Sequence, residues 1–460
     1  MHRPNNASDL TRQHPLCKTS TGRVAPSAEL GYGLPATSQF GNANMTRPAN
    51  AAASSGYLTF ACANLKFLGF GFLLALASSF GQTFFIGVFG PEIRSEFGLS
   101  HAEWGTIYMA GTLLSAAALP FTGSWIDRMS LKRYSVLVSI GLALACIGAA
   151  LCPAAGFLVA VIFMLRQMGQ GLASHTSLTA TLKHFRQDRG KAIAIVSLGF
   201  PAGRAVLPVA AVALIALLGW RNTYLMAGIL TAVLLVPAVL WLLRDPARAA
   251  KRPSPIAAGQ SLEQEDKSLT LRQVLTHPFF FLILPGTLAP SIIETALFFH
   301  QLTVAEMKGW SAGWVTAGYA VFSVMTTLFS MAAGPLVDRI GATRVLWVIL
   351  VPYIFGILIL AYLDDPLWAW VYLALSGATG GLRQTIAPVM WAEFGGTRHI
   401  GTIRSMAATL SVFASALGPP AMGFMMDAGV SLENMALVTV VYLILATVLI
   451  WIACMVPWRR

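Results

Sequence analysis

Twelve apolar runs divide the chain, at approximately 66–90, 104–125, 134–152, 156–182, 192–216, 221–243, 278–303, 311–334, 345–363, 367–392, 402–426 and 432–456. Each is long enough to cross a bilayer as an α-helix, which takes roughly 20 residues. Helix is the form a single apolar run takes there, because a backbone amide left unpaired in hydrocarbon costs several kcal/mol. Most links are short. The exception is 244–277, RDPARAAKRPSPIAAGQSLEQEDKSLTLRQVLTH, a polar, charged, Pro-containing stretch that separates the runs six and six. The pattern predicts an all-α membrane protein of 12 spans in two six-helix bundles, 61–243 and 278–460, joined by a cytoplasmic linker at 244–277.

Residues 1–60 are rich in Pro, Asn, Ser, Thr, Gly and Ala and carry no periodicity, so they read as a disordered cytoplasmic tail. They lack the charged n-region, apolar core and small-residue cleavage site of a secretory signal. Met45 is the expected native start, with the first 44 residues an extension ahead of it.

Composition supports lipid as the medium. Apolar residues fill 56% of the chain, charged residues 11%, and mean hydropathy is +0.67. The net charge of +12 lies in short clusters between runs rather than in one patch, which argues against nucleic acid. If the N-terminus is cytoplasmic, the tail, the even-numbered loops and the C-terminus hold 25 Lys and Arg, span ends included, against three (Arg94, Arg221, Lys308) in the odd-numbered loops. Both termini are therefore expected on the cytoplasmic side of a bacterial inner membrane. The five cysteines form no CxxC pair and have no His at metal spacing, so no metal, cofactor or disulfide is expected. Nor does the chain show an obligate protein partner.

The loop after span 2 reads GSWIDRMSLKR from Gly123, and the loop after span 8 reads GPLVDRIGATR from Gly334, a recurrence at an offset of 211 residues. An internal duplication of six-helix units accounts for it. On these residues the chain resembles the major facilitator superfamily, whose corresponding loops carry G-x-x-x-D-[RK]-x-G-[RK]-[RK]. The match holds at Gly123, Asp127, Arg128 and Lys132 and at Gly334, Asp338, Arg339 and Gly341, and departs at Ser130, Ala342 and Thr343. The resemblance implies that Gly123, Asp127, Arg128, Gly334, Asp338 and Arg339 form a gate. It links span 2 to span 11, and span 8 to span 5, while the cytoplasmic face is shut. The segments SSFGQTFFIGVFGPEI, RQMGQGLASHT and GWRNTY resemble bacterial permeases near the monocarboxylate-porter and oxalate/formate-antiporter branches.

Ionisable residues inside spans carry the functional reading, since each is expensive in lipid without a partner or a wet cavity. Arg166, Arg204, Glu294 and Arg383 lie well within spans 4, 5, 7 and 10, and His175 and His300 lie nearer span ends. The family fold lines its cavity with spans 1, 4, 7 and 10, so Arg166, Glu294 and Arg383 are expected there. The 211 offset carries Glu294 onto Thr83, beside Gln82; Gln170 is four residues from Arg166, and Gln384 adjoins Arg383. Arg204 is equally a structural partner for Glu294 or for carbonyls freed by Pro201 and Pro208. Glu294, His175 and His300 are candidates for proton coupling. Three Arg against one Glu leave a surplus of positive charge that an anion would neutralise, and guanidinium suits a planar carboxylate.

The expected activity is secondary transport of a small organic anion, a mono- or dicarboxylate, by alternating access on a proton or solute gradient. The alternative is a proton-coupled exporter of amphipathic drugs or toxins. Its span 5 motif, G-x-x-x-G-P-x-x-G-G, is met here only by Gly199 and Gly203 in SLGFPAGRAVLP. An enzyme is not expected, since no HExxH, GxSxG or Walker loop is present.

Overall fold

The computed structural model describes residues 57–185, 188–244, 268–396 and 398–455, within the compact unit Ser55–Arg460. The expected Met45 start, nearly all of the tail and most of the linker lie outside the described residues. Helices and their connecting turns make up what is described.

Span 1 is broken, running from Leu65–Ala77 to Gly90–Phe97 through short pieces, with a bend of 49° between its halves. Spans 2 and 3 are His101–Gly123 and Leu131–Ala150. Span 4 has three parts, Leu158–Leu165, a π-helical Arg166–Ala173, and Ser174–His184. Spans 5 and 6 share one long helical stretch, Arg189–Leu242, in which the chain turns at Gly219. That residue has φ 77° and ψ 163°, a left-handed backbone that glycine adopts without a Cβ clash. Spans 7 to 12 are Pro278–Phe299, Ala312–Ile340, Ala342–Tyr362, Leu367–Gly395, Ile400–Asp427 and Leu432–Met455. By length and hydropathy eight of the described stretches, nine with the bent first span, could cross a membrane. Counting Arg189–Leu242 as two and adding the more polar His101–Gly123 and Leu367–Gly395 gives the twelve expected segments.

Phe121, Leu217 and Met331 face outward and are 72%, 79% and 72% exposed, as suits a surface covered by lipid tails. Inside, span 8 packs along span 10 and span 7 along span 11, while span 2 against span 11 and span 5 against span 8 join the first six spans to the last six.

Those two sets meet most closely on the face of the odd-numbered loops. The backbone N–H groups of His101 and Ala102, in the first turn of span 2, donate to the Asp427 carboxylate at the end of span 11, at 2.9 and 2.8 Å. Ser100 and Glu103 cap the remaining first-turn donors. A helix start leaves such N–H groups without partners, and its dipole favours a carboxylate. Deeper in, Trp104 stacks on Phe299 at 5.3 Å and Tyr108 leans on it at 4.5 Å. Two of the three odd-loop cations are held within one half, and Arg94 reaches across to the other. Arg221 pairs with Glu96 at 2.6 Å, Lys308 with Asp364 at 2.6 Å, and Arg94 donates to Thr303 at 3.4 Å.

The even-numbered face is joined differently. Asp127 pairs with Lys183 of span 4, which holds its carboxyl below the ordinary range. Glu393 of span 10 accepts the N–H groups of Ala342 and Thr343, both at 2.8 Å. A Cβ on Gly123 would come no closer than 3.8 Å to His175, and one on Gly334 would have nothing within 4 Å. Arg128, Asp338 and Arg339 are exposed. Among the described residues, the contacts expected of these loops with spans 11 and 5 are therefore absent from this conformation.

The Asp427 carboxyl is raised by burial but lowered further by the Ala102, Ser100 and His101 donors, so it ends below the ordinary range. Its grip on span 2 is complete above a pH of about 4 and is lost as pH falls through that depressed value. Asp427→Asn should raise the population open on the odd-numbered face by about two- to fivefold, a surface helix-terminus effect. Spin-label distances between Ser95→Cys and Gly313→Cys, at the ends of spans 1 and 8, would report it; an unchanged distribution contradicts the role.

Candidate central binding site

The broken span 1 meets the π-helical part of span 4 at one crossing. A Cβ on Gly81 would lie 2.1 Å from the Leu165 carbonyl oxygen, and one on Gly169 would lie 2.6 Å from the Gly81 nitrogen. Only hydrogen on both sides lets the backbones touch. Beyond this point Gln82 is extended (φ −85°, ψ 151°), so span 1 stops and restarts. The break exposes the Gly81 carbonyl, and the π-turn swings Arg166 toward it. Such turns often sit at functional sites.

Arg166 is 5% exposed, and its Nη1 donates to the Gly81 oxygen at 3.3 Å and to Thr83 Oγ1 at 3.4 Å. Its guanidinium lies 5.2 Å from the centre of the Tyr108 ring. Arg383 on span 10 donates to Ser291 Oγ of span 7 at 2.8 Å. Arg204 rests among three rings, 5.0 Å from Phe84, 5.7 Å from Phe298 and 4.5 Å from Phe322. A desolvated contact of that kind contributes about 2 kcal/mol. Glu294 is its electrostatic neighbour. Among the described residues none of these three arginines makes an ion pair. Arg204 Nε and Gln170 Oε1 are buried without a hydrogen-bond partner.

All of them line one space. Gln82, Thr83, Arg166, Gln170, Arg204, Ser291, Glu294 and Arg383 surround a cavity of ≈ 260 Å³. Arg204, Glu294 and Arg383 also border a larger chamber of ≈ 510 Å³, with Gln384, Trp391 and Arg404, toward the even-numbered loops. The structure thus brings Gln82, Thr83, Arg166, Gln170, Glu294 and Arg383 to one cavity, with Thr83 and Glu294, matched by the repeat, both facing it, while Gln384 borders only the larger chamber. The histidines stand apart. His175 lies beside Asp127 at the even-numbered end, and His300 donates through Nε2 to the Pro419 oxygen at 2.9 Å.

Some contributors are not evident from sequence. Arg204 is a full member of the cavity, signalled by its mid-span charge but ambiguous because span 5 is not one of the expected lining spans. Trp391 reads as packing or an interface anchor, and Arg404 falls with the 10–11 loop; both border the larger chamber. Ser291 and Tyr108 offer no signal beyond polarity.

Two sets of six helices around a polar, unpaired, positively charged cavity define a solute carrier. The chain belongs to the Major Facilitator Superfamily, whose model matches residues 71–419 and 311–459. It is a multi-pass membrane transporter and not an enzyme. It is similar to the gallate transporter of Pseudomonas putida, 27% identical over 186 residues, 40% of this chain and 41% of that protein. It also resembles an uncharacterised 38 kDa protein in the 23S RNA operon of Thermoproteus tenax, 31% identical over 193 residues, 41% of this chain and 49% of that one. The chain matches less than half the length of either relative. Two solved structures share the fold. A bacterial homologue of the human lysosomal transporter Spinster, inward-facing and unoccupied, superposes with a TM-score of 0.64 at 17% identity, over 87% of this chain and 98% of that one. The nucleoside transporter NupG does so with 0.63 at 13%, over 86% and 99%.

The crossing of spans 1 and 4 gives a direct test. Gly81→Val should push the backbones apart and destabilise the protein by about 1–3 kcal/mol. Gly69→Val, on the same span with open space around it, should be tolerated. Melting in detergent compares the two, and equal melting would show that the crossing does not hold the site.

Proposed function

We propose that this transporter carries a small organic anion, a mono- or dicarboxylate, driven by a proton or solute gradient. The observation that carries the reading is the cavity itself. Arg166 and Arg204 from the first six spans and Arg383 from the last six converge on it with Glu294 as its acidic residue. A surplus of guanidinium in a low-dielectric pocket favours the arrival of a carboxylate. A relative that transports gallate, an aromatic carboxylate, supports the same chemistry.

The weight of Lys and Arg on the even-numbered side supports a cytoplasmic location for both termini in a bacterial inner membrane. The larger chamber then faces the cytoplasm. In our reading Gly123, Asp127 and Arg128, with Gly334, Asp338 and Arg339, meet spans 11 and 5 when the cytoplasmic face closes, Asp127 leaving Lys183. Glu294, next to Arg204, is the proposed proton site; His175 and His300 lie outside the cavity and are secondary candidates.

Uptake into proteoliposomes tests the class, using gallate, benzoate, succinate, pyruvate and oxalate, with uncharged pyrogallol as comparison and with or without a pH gradient. Uptake of pyrogallol but of none of the acids would overturn it. Arg166→Gln and Arg383→Gln should each weaken binding about tenfold or more, since a charge-assisted hydrogen bond contributes roughly 1.5–3 kcal/mol. Lys at either position should recover part of it. Unchanged affinity in both removes the assignment.

Asp127→Asn should slow turnover more than it changes affinity, with Asp338→Asn milder. Wild-type rates in Asp127→Asn would refute the gate.

A further inference from the structure

We infer that Tyr108, on span 2, is a positioning residue that sets the guanidinium of Arg166 for its ligand; this rests on the anion reading above. Tyr108 is 0% exposed and does not line the central cavity, so it acts through its neighbours. Its hydroxyl shares a 2.5 Å hydrogen bond with Thr83 Oγ1, the atom to which Arg166 Nη1 donates. Its ring lies under the same guanidinium at 5.2 Å. One side chain therefore fixes Arg166 from two directions: the ring sets its plane, and the hydroxyl, through Thr83, sets its reach. A long, rotamer-rich side chain held this way loses less freedom when a carboxylate arrives.

The tyrosine also touches the other set of spans. Its ring packs on Phe299 of span 7 at 4.5 Å, within the contacts that close the odd-numbered face. Parting of spans 2 and 7 removes that support, so the setting of Arg166 belongs to the conformation closed on that face. The repeat supplies a counterpart. The loop-motif offset of 211 residues carries Tyr108 onto Tyr319, also buried. Tyr319 packs on Phe298 at 5.1 Å and neighbours Arg204. Each half thus places a buried tyrosine of its second span beside a cavity arginine.

Binding of gallate and of succinate to purified protein in detergent, by calorimetry, is the test. Tyr108→Phe keeps the ring and removes the hydroxyl, and should weaken binding about three- to tenfold with an unchanged melting temperature. Tyr108→Leu removes both and should weaken it further. In an Arg166→Gln background, Tyr108→Phe should cause no additional loss. Wild-type affinity in Tyr108→Phe, or the same loss with and without Arg166, overturns the inference and leaves the anion reading standing. If neither acid binds the wild-type protein, the anion reading falls and this inference with it.

Discussion

A guanidinium inside a membrane protein must be compensated, and in this chain it is compensated without a paired carboxylate. Arg166, Arg204 and Arg383 share one small cavity with Glu294, and none forms an ion pair among the described residues. Much of the local architecture follows from that constraint. Span 1 breaks at Gln82 and offers the Gly81 carbonyl to Arg166. Phe84, Phe298 and Phe322 give Arg204 the negative faces of three rings. Ser291 accepts from Arg383. None of these provisions neutralises the guanidinium charge, so the arginines keep capacity for an anionic ligand. A protein carboxylate paired with each guanidinium would occupy the donors that a ligand carboxylate needs.

The same compensation explains why helices are irregular where they line the cavity. Non-helical backbone at membrane depth is tolerated when it borders a polar space and its groups find partners. The bend in span 1 and the π-helical turn in span 4 meet at Gly81 and Gly169, where no side chain could fit. Glycine there costs helix propensity, which packing against the neighbouring span offsets.

The fold is largely legible in the sequence because lipid imposes a simple rule. Length and apolarity mark a span, and the recurrence of Gly123-x-x-x-Asp127 at Gly334-x-x-x-Asp338 marks the repeat. The cavity's charged members are legible for the same reason, since a mid-span Arg or Glu is too costly in hydrocarbon to stand there without a polar space to face. What is not legible depends on rotation and on state. Trp391 looks the same in sequence whether it faces lipid or the chamber, and span 11 brings Arg404 inward by a turn that hydropathy does not encode. Tyr108 is invisible until Thr83 and Arg166 are in place. The loop motif recurs plainly in sequence, but among the described residues its side chains make no contact with spans 11 and 5, so sequence alone does not say what they touch.

Alternating access needs two closed faces of similar free energy, each made and broken in every cycle. A ligand can shift such an equilibrium only by its differential affinity for the two states. The odd-numbered face meets this need through modest, replaceable contacts. Asp427 is exposed, so when spans 2 and 11 part, water replaces the carboxylate on the His101 and Ala102 N–H groups at small net cost. The ion pairs of Arg221 with Glu96 and of Lys308 with Asp364 each lie within one set of six spans and need not break when the two sets part. The ion pairs lie inside the halves and the Asp427 contacts lie between them, so in the proposed cycle the halves can part without disturbing the pairs inside each.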